Sequence, residues 1–274
     1  MSGKRGATKT VSRLRRFLME AGHQVDERPT KPTEPALECR DGDCDAILTV
    51  VGGDGTMRLL APLASNFKAV TFLGRGTANV LSFEFGLRRN PVYLAKHWDS
   101  FVTHQHRAGL AGQQPFLMMW SAGIDAATLK NTTQRLKNRL GKAAFAWSGL
   151  KTWFTYTFPT IEIITDHGSF QGTWAVVSRI RRYGGNFAIH PHPPKGLEVL
   201  VYQRSGKWAS LAMFWALIRG RTGHKNGFVR ISCSHVRLAY PHGSVPNQLD
   251  GDAINECVEH IELAPYSVLF LAPP

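Results

Sequence analysis

The chain has 274 residues, of which 43% are apolar and 19% charged, with a formal net charge of +13. That length holds one large domain or two ordinary ones, and that composition builds a full core and excludes a disordered charged tail. No apolar run reaches the roughly 18 residues of a membrane-spanning helix, and the basic start (Met1 to Arg16) lacks an apolar core, so neither a transmembrane helix nor a secretory signal is expected.

In chain order, Thr8 to Ala21 reads as an amphipathic helix with Val11, Leu14, Phe17 and Leu18 on one side, ended by Gly22. Arg28 to Asp45 is Pro-rich and acidic and reads as loop. A strand over 46–51, a helix over 56–65, a strand over 69–73, a turn at Gly74 to Gly76 and a helix over 77–85 follow. Strand and helix alternating with short links predict a parallel sheet with covering helices. After Ala108 short β-rich runs take over: 116–120, 161–165, 173–179, 197–203, 228–233 and 236–240. They predict an antiparallel sandwich. Two helical stretches interrupt it, Leu129 to Phe158 and Lys207 to Arg219, and strands over 258–263 and 267–271 close the chain. The expected division is 1–107, with 258–274 returning to it, and 108–257.

The charge is uneven. Between Ala126 and Arg237 there are 17 Lys and Arg against three acids, a balance of +14, which leaves −1 for the rest. A positive field of that kind draws polyanions, either nucleic acid or an anionic membrane. The four cysteines, Cys39, Cys44, Cys233 and Cys257, match no zinc or disulfide spacing. They read as reduced thiols of a cytoplasmic protein, with Cys257 in the core. The histidines, His190 and His192 among them, read as ordinary surface or core residues.

The most informative segment is Thr49-Val-Val-Gly-Gly-Asp-Gly-Thr56, followed by Gly76-Thr-Ala-Asn79. Glycines at a strand-to-helix turn let backbone N–H groups approach an anion, and the helix N-terminus adds about half a positive charge there. Asp54 inside such a cradle would repel bound phosphates unless a cation intervened, which points to Mg²⁺. The competing reading is a tight glycine turn with a surface Asp. Thr77 is equally an N-cap, and Asp250-Gly251 on its own is a hairpin turn.

Val51-Gly-Gly-Asp-Gly-Thr56, Leu73-Gly-Arg-Gly-Thr-Ala-Asn-Val80, Ser121-Ala-Gly-Ile-Asp-Ala126, Tyr183-Gly-Gly185 and Leu249-Asp-Gly-Asp252 occur in that order. Together they resemble the catalytic domain of the diacylglycerol kinase and sphingosine kinase family of lipid kinases, in its soluble bacterial form. The resemblance implies an α/β nucleotide-binding domain, like that of NAD kinases, plus an antiparallel β-sandwich lipid domain. It implies transfer of the γ-phosphate of ATP to a lipid hydroxyl, with Mg²⁺, at a membrane surface to which the protein binds peripherally. On that basis Gly52, Gly53, Asp54, Gly55, Thr56, Gly76, Thr77 and Asn79 would hold the nucleotide, and Asp250 would be the general base. Asp125 would face the lipid head group, and Asp54 and Asp252 would reach the metal. An anionic membrane is the expected partner and nucleic acid is not.

The chain departs from that family in several places. On the resemblance, Ser2-Gly3-Lys4 would be the remnant of the family's Asn-Pro-x-Ser-Gly opening, and the strand before it would then be missing. Met57-Arg58-Leu59 replaces Leu-Asn-Glu, Arg75 replaces an apolar residue, and Pro194-Lys195-Gly196 replaces a metal-holding acidic loop. These departures keep two rivals open: a kinase of a soluble acceptor such as NAD, and a non-catalytic homologue that binds lipid or nucleotide. The lipid itself is open between diacylglycerol-like and sphingoid alcohols.

Overall fold

The computed structural model describes residues 2–30, 38–132, 143–184 and 187–274. Contacts divide the chain into two units, Met1–Arg107 with Pro265–Pro274, and Ala108–Ala264. The division thus falls at Pro265, inside the last strand.

In the first unit, α1 (Ser2–Glu20) is followed by β1 (Ile47–Gly52), α2 (Asp54–Ala64), β2 (Ala69–Gly74), α3 (Val80–Glu84) and α4 (Pro91–His97). Leu14 and Leu18, four apart on α1, are buried against Leu73 of β2 and Leu94 of α4. Gly22, with a positive φ of 87°, ends the apolar stripe. β1 and β2 pair in parallel from Ile47↔Ala69 to Gly52↔Gly74, and β2 is buried along its whole length. That burial explains its unbroken apolar sequence. On β2's other side Phe270, near the chain's end, pairs in parallel with Val70.

The second unit holds β4 (Gln114–Phe116), β5 (Met119–Ala122), α5 (Ile124–Asn131), α6 (Ala143–Thr155), β6 (Ile161–Thr165), β7 (Gly168–Gly172), β8 (Trp174–Ser178), β9 (Arg182–Tyr183) and β10 (Phe187–Ala188). β11 (Leu197–Tyr202), α7 (Lys207–Ile218), β12 (Phe228–Cys233), β13 (His235–Ala239), β14 (Asn247–Leu249) and β15 (Asp252–Ile254) follow. β3 (Val102–Ala111) and β16 (His260–Ala272) run through both units. One antiparallel sheet has the order β12-β11-β8-β5-β14-β15. Facing strands β6, β7 and β13, with the start of β16, pair antiparallel as well. Trp120, Val177, Val199 and Leu249 from the first group interdigitate with Ile161, Ile163, Val236 and Ile261 from the second. This is the expected sandwich core.

Several expectations are corrected. The helix expected over 77–85 is only Val80–Glu84. The single helix expected over Leu129 to Phe158 is two, α5 and α6; residues 133–142 between them lie outside the described set. The two final strands are one, β16. Cys257 is exposed, and the buried cysteine is Cys233. Ser2-Gly3-Lys4 lies in the first turn of α1.

Candidate functional site

In the first unit the two glycine motifs form one object. β1 ends at Gly52, Gly53 caps α2, and Asp54 opens it. β2 ends at Gly74, and Arg75 donates its backbone N–H to the Gly52 carbonyl at 2.6 Å. The two turns therefore lie back to back. A Cβ added at Gly76 would sit 2.8 Å from the Gly53 Cα, so glycine is required where one backbone meets another.

Two side chains lock this arrangement. The buried Asp54 carboxylate accepts the backbone N–H groups of Val80 at 2.9 Å and Leu81 at 3.2 Å. It thereby caps α3 from a distance. Burial raises its pKa, and the N–H groups of Val80, Leu81 and Asn79 oppose that rise. Asn79, fully buried, accepts the Gly76 N–H and donates to the Gly76 carbonyl, each at 2.7 Å. It also adopts the left-handed conformation, with φ 50°. The α3 cap is thus Asn79 backed by Asp54, not Thr77, which is exposed. Gly55 and Thr56 sit partly exposed in the first turn of α2, and Arg75 donates from Nη2 to the Arg89 carbonyl at 3.1 Å. The N–H groups of α3 thus compensate only part of the burial penalty on the Asp54 charge.

Among the described residues no group of three His, Cys, Asp or Glu is placed to hold a metal ion. A cation entering this cradle would be held chiefly by phosphates and water, the way Mg²⁺ is usually bound, because both oxygens of Asp54 accept N–H groups of α3.

In the second unit β5 runs into α5 through Gly123, whose φ is 126° and whose added Cβ would lie 2.9 Å from the Thr173 carbonyl. This sharp turn points Asp125 back at β5. Its Oδ2 accepts the hydroxyls of Ser121 at 2.5 Å and Tyr183 at 2.6 Å, while Oδ1 is buried without a hydrogen-bond partner. Gln248 donates to Ser121 at 2.6 Å. Tyr183 packs edge-on against Trp174, with ring centroids 5.7 Å apart. Burial raises the pKa of Asp125, and the hydroxyls of Ser121 and Tyr183, the Ala126 N–H and the Trp174 indole only partly offset it. Burial and then the Asp125 charge hold Tyr183 far above the usual phenol range, so it remains a donor. The hydroxyl of Tyr156 is also buried without a partner, and its pKa is raised by burial first and the Asp125 charge second.

Asp250 sits at the β14–β15 turn with φ 50°. Its Oδ2 accepts the N–H of Leu117 at 2.8 Å, and its Oδ1 accepts those of Met118 and Met119 at 2.9 Å each. Both oxygens face backbone, and the side chain anchors the segment that starts β5. Asp252, on β15, is exposed.

Sequence reasoning missed Ser121, Gln248, Trp174 and Tyr156. The Ser121/Asp125 spacing was the available signal for the first. The remaining three come from strands or helices distant in the chain. Ser178 and His190 also form a close pair at 2.5 Å, with Arg230 against the other ring nitrogen. Burial, then Arg230, lowers His190 to about 3, so it is neutral, and both Ser178 and His190 are sealed from solvent. This pair is part of the core rather than a nucleophile and its base.

Residues 1–110 match the diacylglycerol kinase catalytic domain family. Among relatives, a Shewanella frigidimarina protein named "Probable lipid kinase YegS-like" is 23% identical over 100% of this chain and 93% of its own length. A protein of the same name from Pseudomonas putida is 29% identical over 51% of this chain, a match spanning 49% of that protein. Among solved structures, a diacylglycerol kinase from Bacillus anthracis str. Sterne superposes with a TM-score of 0.59 at 18% identity, covering 83% of this chain and 76% of that one. This likeness supports the two-part α/β and antiparallel β fold.

Proposed function

We propose that the chain is a lipid kinase of the diacylglycerol kinase-like family and that it transfers the γ-phosphate of ATP to the hydroxyl of a diacylglycerol-like or sphingoid lipid at a membrane surface. The observation that carries this reading is the interlocked pair of glycine turns. Gly52, Gly53, Gly55 and Gly76 present backbone at the N-terminus of α2, and Asp54 and Asn79 hold that backbone rigid. Thr56 and the exposed Thr77 offer hydroxyls to the phosphates, and Arg75 lies in the second turn. Phosphoryl transfer asks chiefly for such positioning and charge compensation. Mg²⁺ would neutralise phosphate charge when bound, and Asp54 would reach it through water.

In the second unit, Asp125 is the side chain suited to the acceptor. Its unpartnered Oδ1 would accept the lipid hydroxyl, while Ser121 and Tyr183 fix its orientation. Asp250 acts on that group at one remove, because it secures Met119 at the start of the strand that carries Ser121. Asp252 is free of any assigned role in this reading.

The test is a thin-layer assay with radiolabelled ATP and a panel of diacylglycerol, monoacylglycerol, phosphatidylglycerol and sphingoid bases in detergent micelles. Label should move to a lipid. ATP binding without transfer to any lipid would replace the proposal with the non-catalytic reading.

A further inference from the structure

Helix α6 is inside out. Its polar residues Ser148 and Thr152 are 2% and 1% exposed, and Thr152 accepts the Asn131 side-chain amide at 2.9 Å. Its apolar residues Trp147, Leu150 and Phe154 are 64%, 53% and 59% exposed. These fall at i, i+3 and i+7, one continuous face with Lys151 among them. A helix in water normally shows the opposite pattern.

Helix α7 continues the surface. Trp208 is 78% exposed, and Phe214 and Trp215 are more than half exposed. The two helices touch there. Trp153 donates its indole N–H to the Lys207 carbonyl at 2.9 Å and packs edge-on against Trp208 with ring centroids 5.9 Å apart. Lys207 lies over the Phe154 ring at 5.9 Å, and Arg219 over Trp215 at 5.2 Å. Both helices lie in acid-free sequence: no Asp or Glu occurs over 126–161 or over 199–249.

From this juxtaposition we infer that the α6–α7 face is a docking surface for an anionic lipid bilayer, with Trp147, Phe154, Trp208 and Trp215 inserted among the head groups and Lys151, Lys207 and Arg219 against lipid phosphates. Aromatic rings with amphipathic edges suit the water–lipid boundary. Cations without acids nearby in the chain suit an anionic surface, and exposed aromatics grouped on two touching helices ask for a partner. A second protein copy would cover the rings but would bring Lys151, Lys207 and Arg219 of one copy against the same cations of the other. The inference rests on the lipid-kinase reading only for its purpose; the binding itself is measured apart from catalysis.

The experiment is flotation of the full chain with vesicles of phosphatidylglycerol and phosphatidylcholine, against phosphatidylcholine alone, at low and high salt. Binding should need the anionic lipid and fall with salt. In the double variant Phe154→Ser/Trp208→Ser the vesicle partition coefficient should fall at least about ten-fold. Lys207→Glu should lower it more than about five-fold, the value of one cation near such a surface. All three residues are solvent-exposed, so circular dichroism and micellar kinase activity should match the wild type. Brominated lipid should quench wild-type tryptophan emission and quench the Trp208→Phe variant less. Equal flotation of wild type and double variant would overturn the inference. So would absence of quenching, or a wild-type dimer that the double variant abolishes without vesicle binding. Vesicle binding with no kinase activity would leave the docking surface standing and remove the enzymatic reading alone.

Discussion

Replacing Asp250 with Asn separates an anchoring carboxylate from a chemical one. Asn tolerates the left-handed φ of 50° nearly as well as Asp, so the backbone conformation contributes little to the effect. What changes is the hydrogen bonding. Asp250 accepts three N–H groups on two oxygens. Asn keeps one acceptor oxygen and turns an NH₂ group toward at least one of those donors. One buried donor is then unsatisfied and the remaining bonds lose their charge assistance, a loss of roughly 2–4 kcal/mol. For a chain of this size that corresponds to a fall in Tm of roughly 5–15 °C. Hydrogen exchange should localise it, with the amides of Leu117, Met118 and Met119 exchanging faster in the variant. Calorimetry and amide exchange, read beside the micellar kinase assay, check both halves. A variant with unchanged Tm, unchanged exchange at 117–119 and no phosphoryl transfer would refute the anchoring account and restore Asp250 as the proton acceptor.

Other outcomes follow from the same geometry. Gly76→Ala drives a methyl group against the Gly53 Cα at 2.8 Å; overpacking of about 1–3 kcal/mol and loss of ATP binding are expected, measured by denaturant melts and nucleotide titration. Asn79→Ala leaves the N–H and carbonyl of Gly76 without their partner and places Ala at φ 50°, so stability should drop by roughly 2–4 kcal/mol with ATP affinity falling alongside. For Asp125 the pKa is raised above its unfolded value of 3.8, so its contribution favours the native state at low pH and is lost as pH rises through the raised pKa. Asp125→Asn should therefore gain on the wild type in Tm as pH climbs from about 4 toward neutrality, while transfer to lipid falls by two orders of magnitude or more; parallel melts across that range with the assay at pH 7 check it. A wild type that gains on the variant with rising pH would contradict the buried-carboxylate picture.

How much of this was legible in the sequence depends on how local each signal is. The β1–α2 turn follows from an apolar strand running into Gly52-Gly53-Asp54-Gly55, and the structure places it within two residues of expectation. The sandwich strands followed from alternation and turn residues for the same reason. The start of α3 did not. Its cap comes from Asp54, 26 residues upstream of Val80, and no local pattern reports that. Asp125 was visible as a residue, but its setting was not, because Tyr183 lies 58 residues away and Gln248 reaches Ser121 across 127. The sequence of α6 and α7 alone does not tell whether their aromatics serve the core or an interface. Only the burial of Ser148 and Thr152 decides that the rings of α6 point outward.

The polar residues that looked most like chemistry turn out to share a structural habit. Asp54, Asn79 and Asp250 each direct their side chains at backbone groups of a neighbouring turn. Asn79 and Asp250 are also two of the three non-glycine residues with positive φ among those described, the third being Phe158. Strained backbone held by buried polar bonds is a common mark of a preorganised site. On this account the glycines are what a ligand touches, and the motif's carboxylates and amide keep those glycines still before any ligand arrives. Asp125 breaks the pattern: it has a buried oxygen without a bond, a raised pKa and hydroxyl donors that fix its plane. An unsatisfied acceptor in that setting is unfavourable for folding, and under the proposed function a hydroxyl from the acceptor would complete its geometry.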